Sequence, residues 1–376
     1  MHTLHSLLCL LLLLHPAFSF WSASQLRSPR SPLLGAAIRT VSSIETPPRL
    51  PVWPVQNGLI EMFLEFIGLH GLGQWLEDTI GGRVSPMVLD GKGGPFLLLA
   101  HHRHSFLPWD PFRVISRLFL PEGFPSHPHV GFQTVTYVIK GSMRHRDSLG
   151  VKQEYGPGTV QWLSAGSGIQ HEEMWTSEDI EIFQLWVNLP IQHKASQPQV
   201  RLYGGESENS LLEVDLEGGK VGTVKVLAGE VDGKRMDIDL QRSPLSILHV
   251  QLNPNQRFEL PMPTEWTSFC YIRKGSASFG GVGNEVVGRT HKLVWLKNDG
   301  EGVSIAAEGA GVDLMLFAGE ELNEPVVASG PFVVSDQVQL ADAYTRYERG
   351  ELGKPWDYKA SDDEWRRGLG LTTQQD

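Results

Sequence analysis

Two short histidine-containing segments carry residues that could bind a metal ion. They are His127-Pro-His129 and His171-Glu-Glu173. Residues two apart in an extended strand point to the same face, so three imidazoles and the carboxylate of Glu173 could project into one cavity. That ligand set suits a divalent transition metal such as iron, nickel, manganese, copper, cobalt or zinc. Four protein ligands leave one or two positions of an octahedral ion open, as a catalytic metal requires.

The chain repeats itself with a spacing of about 134 residues. The segment around Tyr137 recurs around Tyr271, and Trp162-Leu163 recurs as Trp295-Leu296. A spacing this long indicates a duplicated domain rather than a solenoid. Adding this spacing to the positions of the four candidate ligands gives four residues that do not bind metals well: Pro261, Pro263, Ile305 and Ala307. The second copy is therefore predicted to keep the scaffold without the site.

The elements that position these residues are predicted to be strands. The chain has 376 residues, 40 Gly and 24 Pro, and β-rich runs such as Thr134–Ile139 end in glycine turns. This pattern favours an all-β fold of two tandem barrels, with a helix over Gln337–Glu351 capping the second barrel. The predicted units are a leader (1–45), a linker with an amphipathic helix (46–90), two barrels (91–200 and 201–355) and a tail (356–376).

Longer motifs around the candidate ligands resemble the pirin family of the cupin superfamily. They run from His127 to Tyr137 and from Gly158 to Met174, and the similarity extends over residues 95–350. The resemblance implies a bicupin of jelly-roll barrels, with one metal, usually iron, held in the first barrel by His127, His129, His171 and Glu173. Gln133 stands where many pirins carry Glu, a change that we expect to leave metal binding intact.

The resemblance leaves two functions open. Some pirins are quercetin 2,3-dioxygenases, which implies a flavonol-like or other enolisable aromatic substrate, dioxygen, release of carbon monoxide, and Glu173 as the base that takes the substrate's hydroxyl proton. Other pirins are regulators that sense iron oxidation or bind protein partners, which implies a non-enzymatic use of the same iron site. The resemblance also implies a monomer.

Residues near the candidate ligands have simpler interpretations. Glu172 alternates away from the site and is predicted to lie at the surface or rim. The histidines at 101, 102 and 104 are predicted to be structural or rim residues rather than a second metal site. His145 and Asp147 are expected beside the site or in a turn. Core positions are predicted for Trp162 and Trp186, and cavity-lining positions for Phe132 and Met174.

Charge and cysteine content exclude some partners. The net charge is −11, and after residue 44 there are 29 basic and 43 acidic residues. A body this acidic is not expected to bind nucleic acid directly. Cys270 is the one cysteine outside the leader, which holds Cys9. No internal disulfide is therefore predicted for the processed chain.

The N-terminal residues have the composition of a targeting leader. An apolar core at Leu7–Leu14 is too short to span a bilayer, and Ala17 and Ser19 have signal-peptidase spacing, which predicts cleavage before Phe20. The Ser- and Arg-rich stretch up to Ser43 resembles a transit peptide, so secretion-dependent delivery to a plastid is expected. A plain signal peptide with a spacer, or a cytoplasmic or nuclear location, are the alternatives.

Apolar residues over 58–80 predict a helix packed on the body, with a membrane-surface anchor as the alternative. No membrane span is expected after processing.

Overall fold

The chain folds into two β-barrels, as predicted. The computed structural model describes residues 37–48, 50–51, 60, 63–64, 66–69, 72, 82–89, 91–105, 111–205 and 207–371. Barrel one has a seven-stranded antiparallel sheet, in spatial order β12 (Gln199–Tyr203), β9 (Val160–Ser164), β6 (Phe132–Lys140), β11 (Asp179–Asn188), β4 (Phe96–Ser105), β3 (Gly82–Val88) and β2 (Leu50–Pro51). Its second sheet contains β5 (Gly123–His129), β10 (Ile169–Trp175), β7 (Met143–Asp147) and β8 (Lys152–Tyr155).

Barrel two is built on one larger antiparallel sheet. Its main path is β1 (Val41–Glu45), β20 (Leu293–Leu296), β18 (Trp266–Phe279), β21 (Gly302–Glu320), β16 (Leu245–Leu252), β14 (Gly222–Val231) and β13 (Leu212–Leu216). Three shorter strands pair beside this path, namely β15 (Lys234–Met236), β17 (Arg257–Pro261) and β19 (Val286–Arg289). No helix in the described part of the chain is long and apolar enough to cross a bilayer.

The end of the predicted leader is part of barrel two. Strand β1 pairs with β20, and the Arg39 side chain is completely buried. Its guanidinium donates to the carbonyl oxygen of Trp266 at 2.6 Å and to the Ser268 hydroxyl at 2.8 Å. The sequence assigned Arg39 to a transit peptide, and the structure corrects this because residues 38–45 are bound into the barrel. The apolar core, the cleavage site and most of the 58–80 segment lie outside the described residues.

The predicted linker also contributes strands. β3 lies within residues 46–90 and pairs along β4, so it extends the large sheet of barrel one. The described residues of the 58–80 segment include Phe63 and Phe66, whose side chains are exposed. Two short helices follow in barrel one, α1 (Pro111–Ser116) and α2 (Ile191–Lys194).

The C-terminal residues return to barrel one. They form the hairpin β22 (Val327–Ser329) and β23 (Phe332–Val334), then α3 (Gln337–Glu348) and α4 (Asp362–Gly368). Phe332 and Ala343 of this segment are buried in one cluster with Val130, the residue after His129. The helix at 337–348 therefore packs against barrel one, not as a cap on barrel two, because its apolar face meets the Val130 loop.

The interface between the barrels is apolar at its centre. Phe96 of barrel one packs edge-on against Phe269 and Phe317 of barrel two, with ring centroids 5.8 and 5.9 Å apart. These rings belong to one apolar core that continues through both barrels. Gln133 adds a polar contact here, since its amide donates to the carbonyl oxygen of Leu240 at 2.8 Å. Its side chain thus connects the barrels and does not bind a metal-site residue.

Two reciprocal hydrogen-bonded triads flank this apolar centre. Tyr271 of barrel two donates to His101 of barrel one at 2.9 Å, and His101 donates to Glu181 at 3.1 Å. In the opposite sense Tyr137 donates to His249 at 2.9 Å, and His249 to Asp313 at 3.0 Å.

Arg273 joins the two triads. It donates to both oxygens of Glu181 at 2.6 and 2.8 Å and to Asp313 at 2.8 Å. Because Tyr137 and Tyr271 occupy the same position of the repeat, the interface is pseudo-symmetric around this one guanidinium. His101 therefore has a structural role.

Candidate metal centre

Strands β5 and β10 bring three histidines together. The two strands are antiparallel, with His171 opposite His127 and His129 opposite Ile169. The imidazole centroids lie 4.4 to 4.8 Å apart, and one ring nitrogen from each histidine falls within 4.8 Å of the others. Strand alternation and sheet pairing therefore place His127, His129 and His171 on one face.

Glu173 lies two residues beyond His171, outside that group of ligand atoms. Its Oε1 accepts hydrogen bonds from the Thr136 and Tyr155 hydroxyls, each at 3.1 Å, and its Oε2 accepts one from the Gln184 amide at 2.7 Å. The carboxylate is nearly completely buried. Three donors from three other strands thus fix its orientation, while Oε2 keeps a further lone pair.

A β-bulge orients the first histidine. Between the pairings of Phe124 with Glu173 and of His127 with His171, strand β5 advances by three residues and β10 advances by two. Within this bulge the His127 Nδ1–H donates to the carbonyl oxygen of Pro125 at 2.9 Å. That bond selects the tautomer in which Nε2 carries a free lone pair, the arrangement found in histidines that bind metals.

The ring nitrogens that have no hydrogen-bond partner in the cluster are suited to binding a metal ion. Neither nitrogen of His171, which is completely buried, has a hydrogen-bond partner among the described residues. Burial, and then the neighbouring imidazoles, hold the pKa values of His171 and His129 well below the usual range. Burial also lowers the pKa of His127. Neutral imidazoles with unpaired lone pairs are the ligand form, so these residues fit a divalent transition-metal ion.

A buried His–Asp pair adjoins the cluster. His145 and Asp147 lie opposite Glu173 and His171 on strand β7, and their side chains are completely buried. The His145 Nε2–H donates to Asp147 at 3.0 Å, and the His145 ring centroid is 5.4 Å from that of His171. Asp147 also accepts from the backbone amides of Leu149 and Val151. The pair therefore lies beside the site, one of its two predicted places, and Asp147 also accepts hydrogen bonds from the turn that follows β7.

Aromatic side chains form one wall of the centre. Phe132 lies against His129 with ring centroids 4.8 Å apart, which fits its predicted lining role. Trp186, predicted to be a core residue, packs on Phe132 with ring centroids 4.5 Å apart, and its ring centroid lies 5.4 Å from that of His129. Its place on β11 brings it to the site, so the core prediction is wrong for Trp186, whereas Trp162 is completely buried in the core.

His102, His104 and Glu172 are interior residues. The His102 Nε2 and His104 Nδ1 atoms are 2.9 Å apart, and both rings pack on Trp175. These contacts give the two histidines a structural role. Glu172, predicted at the surface, is completely buried. It lies on the face away from His171, as alternation predicts, but a C-terminal segment covers that face.

The fold and the site together define a bicupin with a candidate metal centre in its first barrel. The sequence profile of Pirin matches residues 89–187, and that of the Pirin C-terminal cupin domain matches residues 247–353. Human Pirin is 35% identical over 261 residues, which are 66% of this chain and 87% of that protein. A pirin-like protein of Solanum lycopersicum is 35% identical over 250 residues, covering 65% of this chain and 82% of the relative. The chain belongs to the pirin family.

Relatives named for an enzymatic activity share this architecture. A provisionally named quercetin 2,3-dioxygenase of Pseudomonas aeruginosa is 32% identical over 285 residues, or 73% of this chain and 89% of the relative. A crystal structure of quercetin 2,3-dioxygenase from Acinetobacter baumannii superimposes with a TM-score of 0.67. It covers 85% of this chain and 99% of the other at 24% identity, and therefore shows the shared fold.

Proposed function

We propose that this protein is a metal-dependent dioxygenase of the quercetin 2,3-dioxygenase type, acting on a flavonol-like or other enolisable aromatic compound. The observation that carries the proposal is the convergence of three neutral imidazoles beside a carboxylate already oriented by three donors. The provisional activity of the Pseudomonas aeruginosa relative supports the same reaction class.

The residues have separate tasks in this proposal. His127, His129 and His171 hold the ion, for which we propose iron, with Glu173 as a weak additional ligand. A bound ion supplies a Lewis acid for the substrate's enolate oxygen and an electron-transfer site for dioxygen. Glu173 accepts the substrate's hydroxyl proton on the free lone pair of Oε2, while Tyr155 and Thr136 keep the carboxylate from rotating. Phe132 and Trp186 offer the substrate ring an apolar wall that excludes water.

A sensing role for the same centre is the second candidate function. His129 is 3% exposed and His171 is not exposed at all, an enclosure that favours a site which responds to the oxidation state of its ion over one that admits a large substrate. In that case the signal would reach a protein partner through the strands that carry the histidines.

Oxygen consumption separates the two functions. The full chain is loaded with Fe²⁺ and given quercetin, and oxygen uptake is compared with carbon monoxide release. We expect equal amounts of both gases from the wild type, none from the His129→Ala/Glu173→Ala variant, and wild-type turnover from Val303→Ala, a matched change in barrel two. Bound metal without oxygen uptake across a panel of flavonols and other phenols would contradict the dioxygenase proposal and favour sensing.

A further inference from the structure

The buried carboxylate of Glu172 is the starting point for a role outside the ligand set. Glu172 lies between His171 and Glu173 on β10, with its side chain on the opposite face of the strand. Its Oε1 accepts from Arg146 Nε at 2.6 Å and from Arg144 Nη2 at 3.0 Å, and its Oε2 accepts from the Trp356 indole N–H at 2.8 Å. One completely buried carboxylate therefore has two guanidinium partners and an indole donor.

The residues that cover Glu172 come from the end of the chain. We call residues 354–371 the C-terminal strap. Its carbonyl at Ala360 accepts from Arg146 Nη1 at 2.8 Å, and the Arg146 guanidinium lies 5.5 Å from the ring centroid of Trp365. Arg146 is completely buried and Trp365 is 1% exposed. The strap thus seals a buried charge pair against the outer face of the small sheet of barrel one.

The strap is held by its own structure and by contacts with other strands. Helix α4 begins with a capping box in which Ser361 and Glu364 exchange hydrogen bonds. Asp362 binds Lys152 of β8 at 2.8 Å. The strap, β7, β8 and β10 therefore form one connected unit. The match to the Pirin C-terminal cupin domain ends at residue 353, before the strap begins.

We infer that the C-terminal strap, acting through Glu172, positions His171 and Glu173 around the metal ion. The inference rests on the metal centre of the proposed function. The backbone of Glu172 is shared with both neighbours, so a shift of Glu172 toward or away from the strap moves the two site residues with it. A metal site loosened by about 1 Å loses much of its affinity and geometry. Glu172 and Trp365 are positioning residues, since their side chains lie on the face away from the ion.

Cobalt binding to the full chain tests this inference. Co²⁺ is the probe because its visible ligand-field spectrum reports coordination geometry directly. We expect Trp365→Ala and Glu172→Gln to bind Co²⁺ about 10- to 100-fold more weakly in a chelator competition, with altered spectra. Trp365→Phe should restore most of both. Phe279→Leu, a core change in barrel two, is the stability control and should lower the unfolding temperature without changing affinity or spectrum.

The outcomes are distinguishable. Wild-type affinity and spectrum in both Trp365→Ala and Glu172→Gln would overturn the positioning role while leaving the metal centre intact. Equal losses in Phe279→Leu would also overturn it, because general destabilisation would then explain the effect. Wild-type protein that bound no Co²⁺ would overturn the metal centre, and this inference with it. If Trp365→Ala does not fold, the nearly isosteric Glu172→Gln decides the question alone.

Discussion

Barrel one has one more residue in a strand at the metal centre than barrel two has in the corresponding strand. In barrel one, β10 pairs Glu173 with Phe124 and His145; in barrel two, β21 pairs Ile305 with Phe258 and Phe279. The next pairing of β10 is His171 with His127, three residues beyond Phe124. The corresponding pairing of β21 is Val303 with Leu260, two residues beyond Phe258. Barrel one has the bulge between β5 and β10, and the corresponding β17–β21 pair of barrel two is a regular ladder.

This comparison corrects the correspondence drawn from the repeat. A uniform spacing of 134 assigned Ile305 to His171, but the pairings assign Ile305 to Glu173 and Val303 to His171. Leu260, Val303 and Ile305 are all buried, so apolar side chains occupy the equivalent region of barrel two. Barrel one therefore has two local features that barrel two lacks: metal-binding side chains, and a bulge that reorients one of them.

Of the changes proposed here, removing the bulge in β5 should have the largest effect, and the property affected is metal affinity. Deletion of Ser126 leaves two steps between Phe124 and His127, the same spacing as between Phe258 and Leu260 of β17. We expect this change to turn the His127 side chain out of the cluster. We expect metal affinity, measured by isothermal titration calorimetry, to fall more than about 100-fold, because losing a ligand costs more than losing a supporting contact. A matched insertion after Glu259 in barrel two should leave affinity unchanged. Wild-type affinity without Ser126 would contradict the role of the bulge.

Breaking the charge network at the interface should have the next largest effect. Arg273 has Ile139 as its counterpart in barrel one, so one guanidinium neutralises the acids of both triads. Arg273→Met leaves Glu181 and Asp313 buried with less compensation, and the free energy of unfolding should fall by about 3–5 kcal/mol. The exposed pair of Arg235 with Asp237 is the control, and Arg235→Met should cost less than about 1 kcal/mol. Equal costs in urea titrations would contradict this account.

The same network predicts a pH dependence. Burial alone would raise the pKa values of Glu181 and Asp313, but hydrogen bonds from His101 and Arg273 to Glu181, and from His249 to Asp313, outweigh it and lower both pKa values. Lowered folded-state pKa values mean that the unfolded chain binds more protons, so stability is present above about pH 4 and is lost as the pH falls. Unfolding temperatures measured from pH 6 to pH 3 should decline less steeply in Arg273→Met. Parallel declines would contradict the assignment.

The smallest expected effect concerns one donor to the candidate base. Tyr155→Phe removes one of the three hydrogen bonds to Glu173, and burial together with Glu173 holds the Tyr155 pKa well above its usual range. Turnover with quercetin should fall about tenfold, near 1.4 kcal/mol. Tyr203→Phe, which removes a hydroxyl bonded to Asp239 at the edge of barrel one, should leave turnover unchanged. A similar loss in both variants would show that Tyr155 does not act through Glu173.

The sequence predicted the parts of the fold that local pattern determines. A repeat containing Tyr137 and Tyr271 specifies two copies of one barrel, and the alternation of His127 with His129 specifies a shared face. Strand pairing then brings His171 to that face. These features depend on period and on internal similarity, which a single sequence carries.

The remaining features depend on contacts between distant parts of the chain. Arg39 has the composition context of a leader, and only its burial against residues near 266 shows that it belongs to barrel two. The helix at 337–348 contacts barrel one because the chain crosses back to Val130. Glu172 has the alternation of a surface residue until the C-terminal strap covers it. The bulge in β5 is defined by the register between β5 and β10, which the sequence of β5 alone does not contain.

Metal content tests the central claim most directly, namely that barrel one alone forms a metal centre. The full chain is loaded with Fe²⁺, passed through gel filtration and analysed by mass spectrometry of the metal. We expect a single ion per chain in the wild type and in Leu260→Ala/Val303→Ala, and none in His127→Ala/His129→Ala/His171→Ala. An ion retained by the triple histidine variant, or lost from the barrel-two variant, would contradict the claim.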